Sequence, residues 1–276
     1  MAGSGTSIPK QVLLPIGICL AVALIFAVTA TGGKRPAPEA AAPTGDSVPV
    51  LMYHKVSPFR QAGGKGLRVT PRQFARQMAY LRRQEYVSIT PADLAAAMRG
   101  DLELPLRPVL ITFDDGYRDN YLYAFPILKE NGFTATVFVV ANTIGKTNSF
   151  DAATQPPNGM MNREELLHLA NAGWVIGSHT LNHPRLTRVP PAVAWDEIST
   201  SRITLEETLG LPVRYFCYPY GDFNAEIAEM VERAGYELAF TTVPGPAELT
   251  GAPTMVHRWR VNGYTSPEEF ERLFAR

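Results

Sequence analysis

Two adjacent carboxylates close a stretch that reads as a buried strand: Val109-Leu110-Ile111 runs into Thr112-Phe113-Asp114-Asp115-Gly116. Charged side chains beside a core are costly unless they are paired or bound to a cation. Further along, a second apolar run, Trp174-Val175-Ile176, leads into Ser178-His179-Thr180-Leu181-Asn182-His183. One carboxylate and two imidazoles form a ligand set suited to zinc or a similar divalent ion. With one aspartate on the metal, its neighbour is free to move a proton, so the inventory points to a metal-dependent hydrolase. Taken alone, paired aspartates before glycine also fit a turn or a helix cap. Pro184, directly after His183, argues against an ordinary exposed helical turn there.

The elements that must position these groups follow from apolar periodicity. Short apolar runs at 49–53, 109–113, 134–140, 174–177, 213–218 and 238–242 read as strands. Amphipathic stretches at 71–84, 123–131, 162–171, 192–209 and 224–234 read as helices, and Ser266-Pro267-Glu268-Glu269 reads as the capped start of a last one. Alternating β and α units favour a parallel sheet with crossover helices, that is, an α/β barrel. The aspartate pair, the histidine pair and Pro219-Tyr220-Gly221 all fall just past strand ends, where such barrels place their sites.

Composition narrows the class further. Twenty-six basic and 26 acidic residues cancel, so nothing points to nucleic acid. Of the two cysteines, Cys19 lies in the apolar N-terminal segment, so the remainder has one thiol, Cys217, and no internal disulfide. After a short tail, 1–11, the uncharged run Val12–Ala30 is long enough to cross a bilayer. It reads as a transmembrane anchor, or as a signal segment cleaved after Val28-Thr29-Ala30. Either reading makes the following part membrane-anchored or exported and extracytoplasmic, in the periplasm or at the cell surface. Residues 31–47 are rich in Pro and Ala and read as a linker; 48–276 form the catalytic domain.

Three runs together resemble the polysaccharide deacetylases of the NodB-homology type, carbohydrate esterase family 4. They are Thr112-Phe113-Asp114-Asp115-Gly116, His179-Thr180-Leu181-Asn182-His183 and Phe216-Cys217-Tyr218-Pro219-Tyr220-Gly221. The opening Pro49-Val50-Leu51-Met52-Tyr53-His54 resembles the poly-N-acetylglucosamine deacetylase branch, which implies a distorted, circularly permuted (β/α) barrel. The resemblance implies Asp115, His179 and His183 as metal ligands, Asp114 as general base and His54 as general acid. It also implies an oxyanion hole that includes the Tyr220 backbone N–H. The cofactor implied is Zn2+, with Co2+, Ni2+ or Mn2+ as alternatives. The substrate is an N-acetylated polysaccharide and the partners are the membrane and polysaccharide export machinery.

One position departs from the pattern. Many members carry an arginine three residues before the motif tyrosine, where this chain has Cys217. Arg258 or Arg214 could replace it; Arg258 is preferred, because a late strand returns beside the first one in a closed barrel. Tyr53, Tyr218 and Pro219 are expected to bind substrate, with Tyr117 as a further candidate for the groove. His54 by residue type alone equally suits a core histidine, His257 is the reserve candidate for the acid, and His168 reads as structural. The retained Asp114 favours a working deacetylase. A silent glycan-binding protein of the same fold, motivated by the absent arginine, is the alternative. A non-haem iron oxygenase is a more distant one, since two histidines and a carboxylate also describe that site.

Overall fold

The computed structural model describes residues 46–275; the apolar run 12–30 and most of the linker lie outside the described residues. Eight strands form one all-parallel sheet. Its order is Leu238–Phe240, Tyr215–Cys217, Val175–Ser178, Thr136–Val139, Pro108–Phe113, Val50–Tyr53 and Trp259–Arg260, with Val87–Ser88 paired to the start of Pro108–Phe113. The segment before Trp259 brings the two edges together. Val256 forms a parallel bridge with Phe240, donating its N–H to the Ala239 carbonyl at 2.9 Å, and the Val261 N–H reaches the Met52 carbonyl at 3.0 Å. The sheet therefore curls into an irregular (β/α) barrel in which the His54-bearing strand opens the domain and lies beside the last strand, as the permuted arrangement requires.

Side-chain alternation divides each strand between two cores. Leu51, Tyr53, Ile111, Phe113, Val137, Val139 and Phe216 face the helices, where they pack in one apolar cluster. Val50, Leu110, Phe138, Tyr215, Cys217, Leu238 and Phe240 make a second, smaller cluster on the other face. Space there is tight: a Cβ on Gly177 would stand 2.5 Å from the Phe138 ring, so this strand position needs glycine.

The helices begin where local chemistry starts them. Thr70/Gln73, Thr90/Asp93, Asn162/Glu165 and Ser266/Glu269 form reciprocal capping boxes at Pro71–Arg83, Pro91–Met98, Arg163–Asn171 and Pro267–Arg272. Pro91–Met98 is not foreseen by periodicity, because its run Ala95-Ala96-Ala97 has no apolar stripe; the Thr90-to-Asp93 box was its one signal. The helix expected from Tyr123 begins as a π turn, Asn120–Ala124, before Phe125–Asn131.

Candidate active site

The C-terminal ends of the strands deliver the candidate residues to one cleft of about 470 Å³. His54 follows Val50–Tyr53, Asp114 and Asp115 follow Pro108–Phe113, and His179 follows Val175–Ser178. His183 and Tyr220 complete the central group. Five non-glycine residues in the described chain adopt positive φ, and four of them are here: Asp115 (73°), Thr180 (69°), His183 (65°) and Tyr220 (60°). Each such conformation costs on the order of 1–3 kcal/mol and persists only where the surroundings impose it. The strain is concentrated on the ligand-bearing turns.

Asp115 Oδ1 lies 3.5 Å from His179 Nε2 and 3.3 Å from His183 Nε2, and all three side chains are buried. Ligand atoms around a tetrahedral zinc with bonds of about 2.0–2.1 Å stand about 3.3 Å apart, so the three donors fit such an ion. The His179 Nδ1–H donates to the Cys217 carbonyl at 2.7 Å, which turns Nε2 toward the other two donors. His183 Nδ1 is buried without a protein partner. Its backbone N–H is held by Thr180 Oγ1 at 2.9 Å.

Burial alone would raise the Asp115 carboxyl, but the hydrogen bonds from His179 and His183 hold it well below the usual carboxylate range. For His183 burial prevails and lowers the imidazole, despite Asp115. These two directions favour the forms that bind a cation, whereas for His179 burial is outweighed and Cys217 and Asp115 push the imidazole well up. Asp114, His179 and Cys217 also place donor atoms near one another. That group is a poor cation site: burial pushes the Cys217 thiol up, and Asp114 is already committed elsewhere.

Asp114 is held by Arg258. The guanidinium donates to Oδ1 at 2.7 Å and to Oδ2 at 2.8 Å, and it is itself fully buried. Further bonds run to Thr112 Oγ1 at 3.0 Å, the Thr241 carbonyl at 2.9 Å and Cys217 Sγ at 3.1 Å. Burial would raise the Asp114 carboxyl; the Arg258 charge outweighs it and the net direction is down. The other arginine considered, Arg214, pairs with Glu237 at the surface. His54 is half-buried on the cleft, and burial pushes its imidazole down to about 4 against the upward pull of Asp115 and Asp114.

Three expected substrate contacts do not reach the cleft. Tyr53 precedes His54 and Tyr218 follows Cys217, so alternation turns both rings toward the helices. The Tyr53 hydroxyl bonds Gln77 at 3.0 Å, and the Tyr218 hydroxyl donates to the Thr254 carbonyl at 3.0 Å. Pro219 is buried in the turn beneath Tyr220. Tyr117 is also buried, its hydroxyl donating to Asp151 at 2.9 Å. Of the remaining histidines, His257 borders a different depression and His168 bonds the Tyr121 hydroxyl at 2.8 Å. The cleft walls come instead from residues without a local motif, among them Phe150, Asp151, Arg185 and Thr242 from the connections past the strands and Arg260 from the strand Trp259–Arg260. The His183 ring lies between Phe150 and Tyr220, with centroids 4.5 and 4.6 Å away.

Comparison with known proteins agrees with this geometry. A family model described as polysaccharide deacetylase matches residues 102–239. YxkH of Bacillus subtilis, assigned by name to the polysaccharide deacetylases, is 31% identical over 223 residues, covering 81% of this chain and 74% of that protein. A poly-β-1,6-N-acetyl-D-glucosamine N-deacetylase of Staphylococcus epidermidis is 26% identical over 216 residues, covering 71% of this chain and 72% of that one. Among solved structures, the Streptococcus pyogenes deacetylase PplD in complex with acetate superposes with TM-score 0.73 at 26% identity, over 84% of this chain and 100% of that one. IcaB from Ammonifex degensii gives TM-score 0.71 at 28% identity, over 84% and 97%. The chain belongs to the polysaccharide deacetylase family and is an enzyme of that class.

Proposed function

We propose that the chain hydrolyses N-acetyl groups of a polysaccharide containing N-acetylglucosamine, releasing acetate and leaving free amines. The observation that carries this reading is the buried Asp115–His179–His183 donor set beside an Asp114 clamped by Arg258. The named activity of the staphylococcal relative and the likeness to IcaB support the substrate class.

Asp115, His179 and His183 would hold a divalent ion, which would supply Lewis-acid activation there; Zn2+ suits the donors, and Co2+, Ni2+ or Mn2+ also fit. Asp114 takes the proton that water loses as it attacks the amide carbon. Arg258 keeps that carboxylate ionised and fixes its plane, so the base is ready without reorganising. The Tyr220 backbone N–H, on its positive-φ turn, donates to the oxygen that becomes negative. His54 is neutral at neutral pH, so it acts as the acid after receiving the water proton from Asp114, as negative charge develops beside it. The water proton then passes to the leaving nitrogen, which departs as an amine. General acid–base assistance of this kind contributes about 10²–10⁴-fold.

A silent glycan-binding role was motivated by the cysteine at 217, and Arg258 removes that motive. We further propose that residues 12–30 anchor or export the enzyme, placing 48–276 outside the cytoplasm near polysaccharide export machinery. The deciding experiment is acetate release from N-acetylglucosamine oligomers by metal-stripped and Zn2+-reloaded protein, with Asp114→Asn alongside. Zinc-dependent release lost in Asp114→Asn supports the reading; no release from folded, metal-loaded protein on several acetylated glycans rejects it.

A further inference from the structure

The charged groups of the cleft divide into those already engaged and those left open. Asp114 has both oxygens on Arg258, and Asp115 faces the two histidines. Asp151 accepts from the Tyr117 hydroxyl through one oxygen and from the Asn148 side-chain amide through the other. Every carboxylate in the cleft wall is thus committed to a protein partner.

The two cations of the wall are not. Arg185 and Arg260 line the cleft, both are exposed, and neither forms an ion pair among the described residues. Each is nonetheless placed by its surroundings. The Arg185 guanidinium lies over the Tyr220 ring, 4.2 Å from its centroid, and that ring packs on His183. Arg260 ends the strand Trp259–Arg260, whose register beside Leu51 and Met52 is set by the sheet. Its charge is felt at His54. The open guanidinium groups therefore flank the reacting centre, one on the His183 side and one on the His54 side.

A guanidinium is always charged, presents its donors in a planar fork and matches carboxylate and phosphate oxygens two at a time. A neutral glycan offers hydroxyls and amides, which use neither the charge nor the fork fully. We propose that the cleft takes an anion-bearing glycan, in which a carboxylate or phosphate group near the acetamido sugar is bound by Arg185 and Arg260. This rests on the deacetylase reading and narrows its substrate. The same charges oppose a glucosamine ammonium, so an already deacetylated neighbour is a poorer ligand than an acetylated one.

The test compares three tetrasaccharides of one length with the full Zn2+-loaded chain. One is neutral N-acetylglucosamine tetramer, one carries lactyl carboxylates on alternate sugars, and one carries a 6-phosphate. Acetate release gives kcat/KM, and calorimetry with Asp114→Asn gives Kd without turnover. An anionic tetramer is expected to be favoured over the neutral one by about ten-fold at low salt, a charge-assisted guanidinium pair being worth about that much, with the ratio falling several-fold at 0.3 M NaCl. The carboxylate and phosphate arms identify which anion is read. In Arg185→Gln and Arg260→Gln the anionic-to-neutral ratio moves toward one. Turnover of the neutral tetramer with no anionic preference in either measurement overturns the inference and leaves the deacetylase standing. Tighter binding of an anionic tetramer with no acetate from any of the three does the reverse. Neither binding nor turnover rejects both.

Discussion

Arg258 and Asp114 form a two-pronged ion pair at 2.7 and 2.8 Å although they are 144 positions apart in the chain. The pair exists because Val256–Arg260 closes the sheet between Phe240 and Leu51, which puts position 258 across from Thr112 and Asp114. The guanidinium also touches Cys217 Sγ at 3.1 Å. A charge that the strand Tyr215–Cys217 does not carry thus reaches Asp114 from the last strand region.

Removing that guanidinium leaves a buried carboxylate uncompensated, which costs about 3–5 kcal/mol in comparable buried pairs. Arg258→Ala is expected to lower the thermal midpoint sharply and abolish acetate release. Arg258→Lys restores charge but not the fork, so it regains less activity than stability. Cys217→Arg combined with Arg258→Ala is expected to exceed Arg258→Ala alone in both respects, since the new side chain starts 3.1 Å from the old guanidinium. Thermal denaturation and kcat/KM on all three variants decide the matter. A double variant no better than the single one would show that the last strand alone can supply this charge.

Asp119 gives a pH dependence of definite sign. Burial pushes its carboxyl up from the ordinary 3.8 to about 7, against the Val56 N–H and the Lys55 charge. A raised native value means that the folded state holds the proton more tightly than the unfolded chain. The resulting stability is fully present below about 3.8 and disappears as pH rises through about 7. Asp114 works the other way, its contribution being lost as pH falls through its lowered value. Asp119→Asn should therefore melt at a higher temperature than the parent at pH 8, with the gap shrinking by pH 5. An equal gap at both values would contradict the raised carboxyl.

The ligand turns were legible because their chemistry is local: Asp114-Asp115-Gly116 and His179 to His183 each sit on one strand end. Most strand positions and their parallel alternation with helices were legible for a similar reason, since apolar runs and capping residues alternate along the chain. The cleft walls were not. Phe150, Asp151 and Arg185 belong to loops that periodicity does not describe, and only the folded sheet brings them to His183. Tyr53 and Tyr218 are close in sequence to His54 and Tyr220 but not close in the cleft. On a strand, the neighbour of an inward residue points outward.

Tyr53→Phe tests that correction. The ring is packed against Phe74 and Phe113, 5.1 and 5.5 Å between centroids, and its hydroxyl donates to the Gln77 side-chain oxygen at 3.0 Å in the core. Losing the hydroxyl leaves a buried amide oxygen unpaired, which costs about 1–3 kcal/mol. The thermal midpoint should fall while KM for N-acetylglucosamine oligomers stays within experimental error of the parent. A raised KM at unchanged stability would return Tyr53 to the substrate groove.

Asp115→Asn and His54→Gln should separate ion holding from proton transfer. Asp115 is one of three close donors, and its substitution removes the charged one, so purified protein should lose bound Zn2+ and the stabilisation that the ion confers. His54 is not in that donor set, so His54→Gln should keep its Zn2+ content and its metal-dependent rise in melting temperature. Its kcat should fall by about 10²–10⁴-fold, the contribution ordinarily made by a positioned acid or base. Elemental analysis, melting curves with and without chelator, and acetate release on the two variants give the comparison. His54→Gln losing the ion together with activity would make His54 a fourth ligand; retaining activity would pass the acid role to another group, and the proton would then have to return from Asp114 itself.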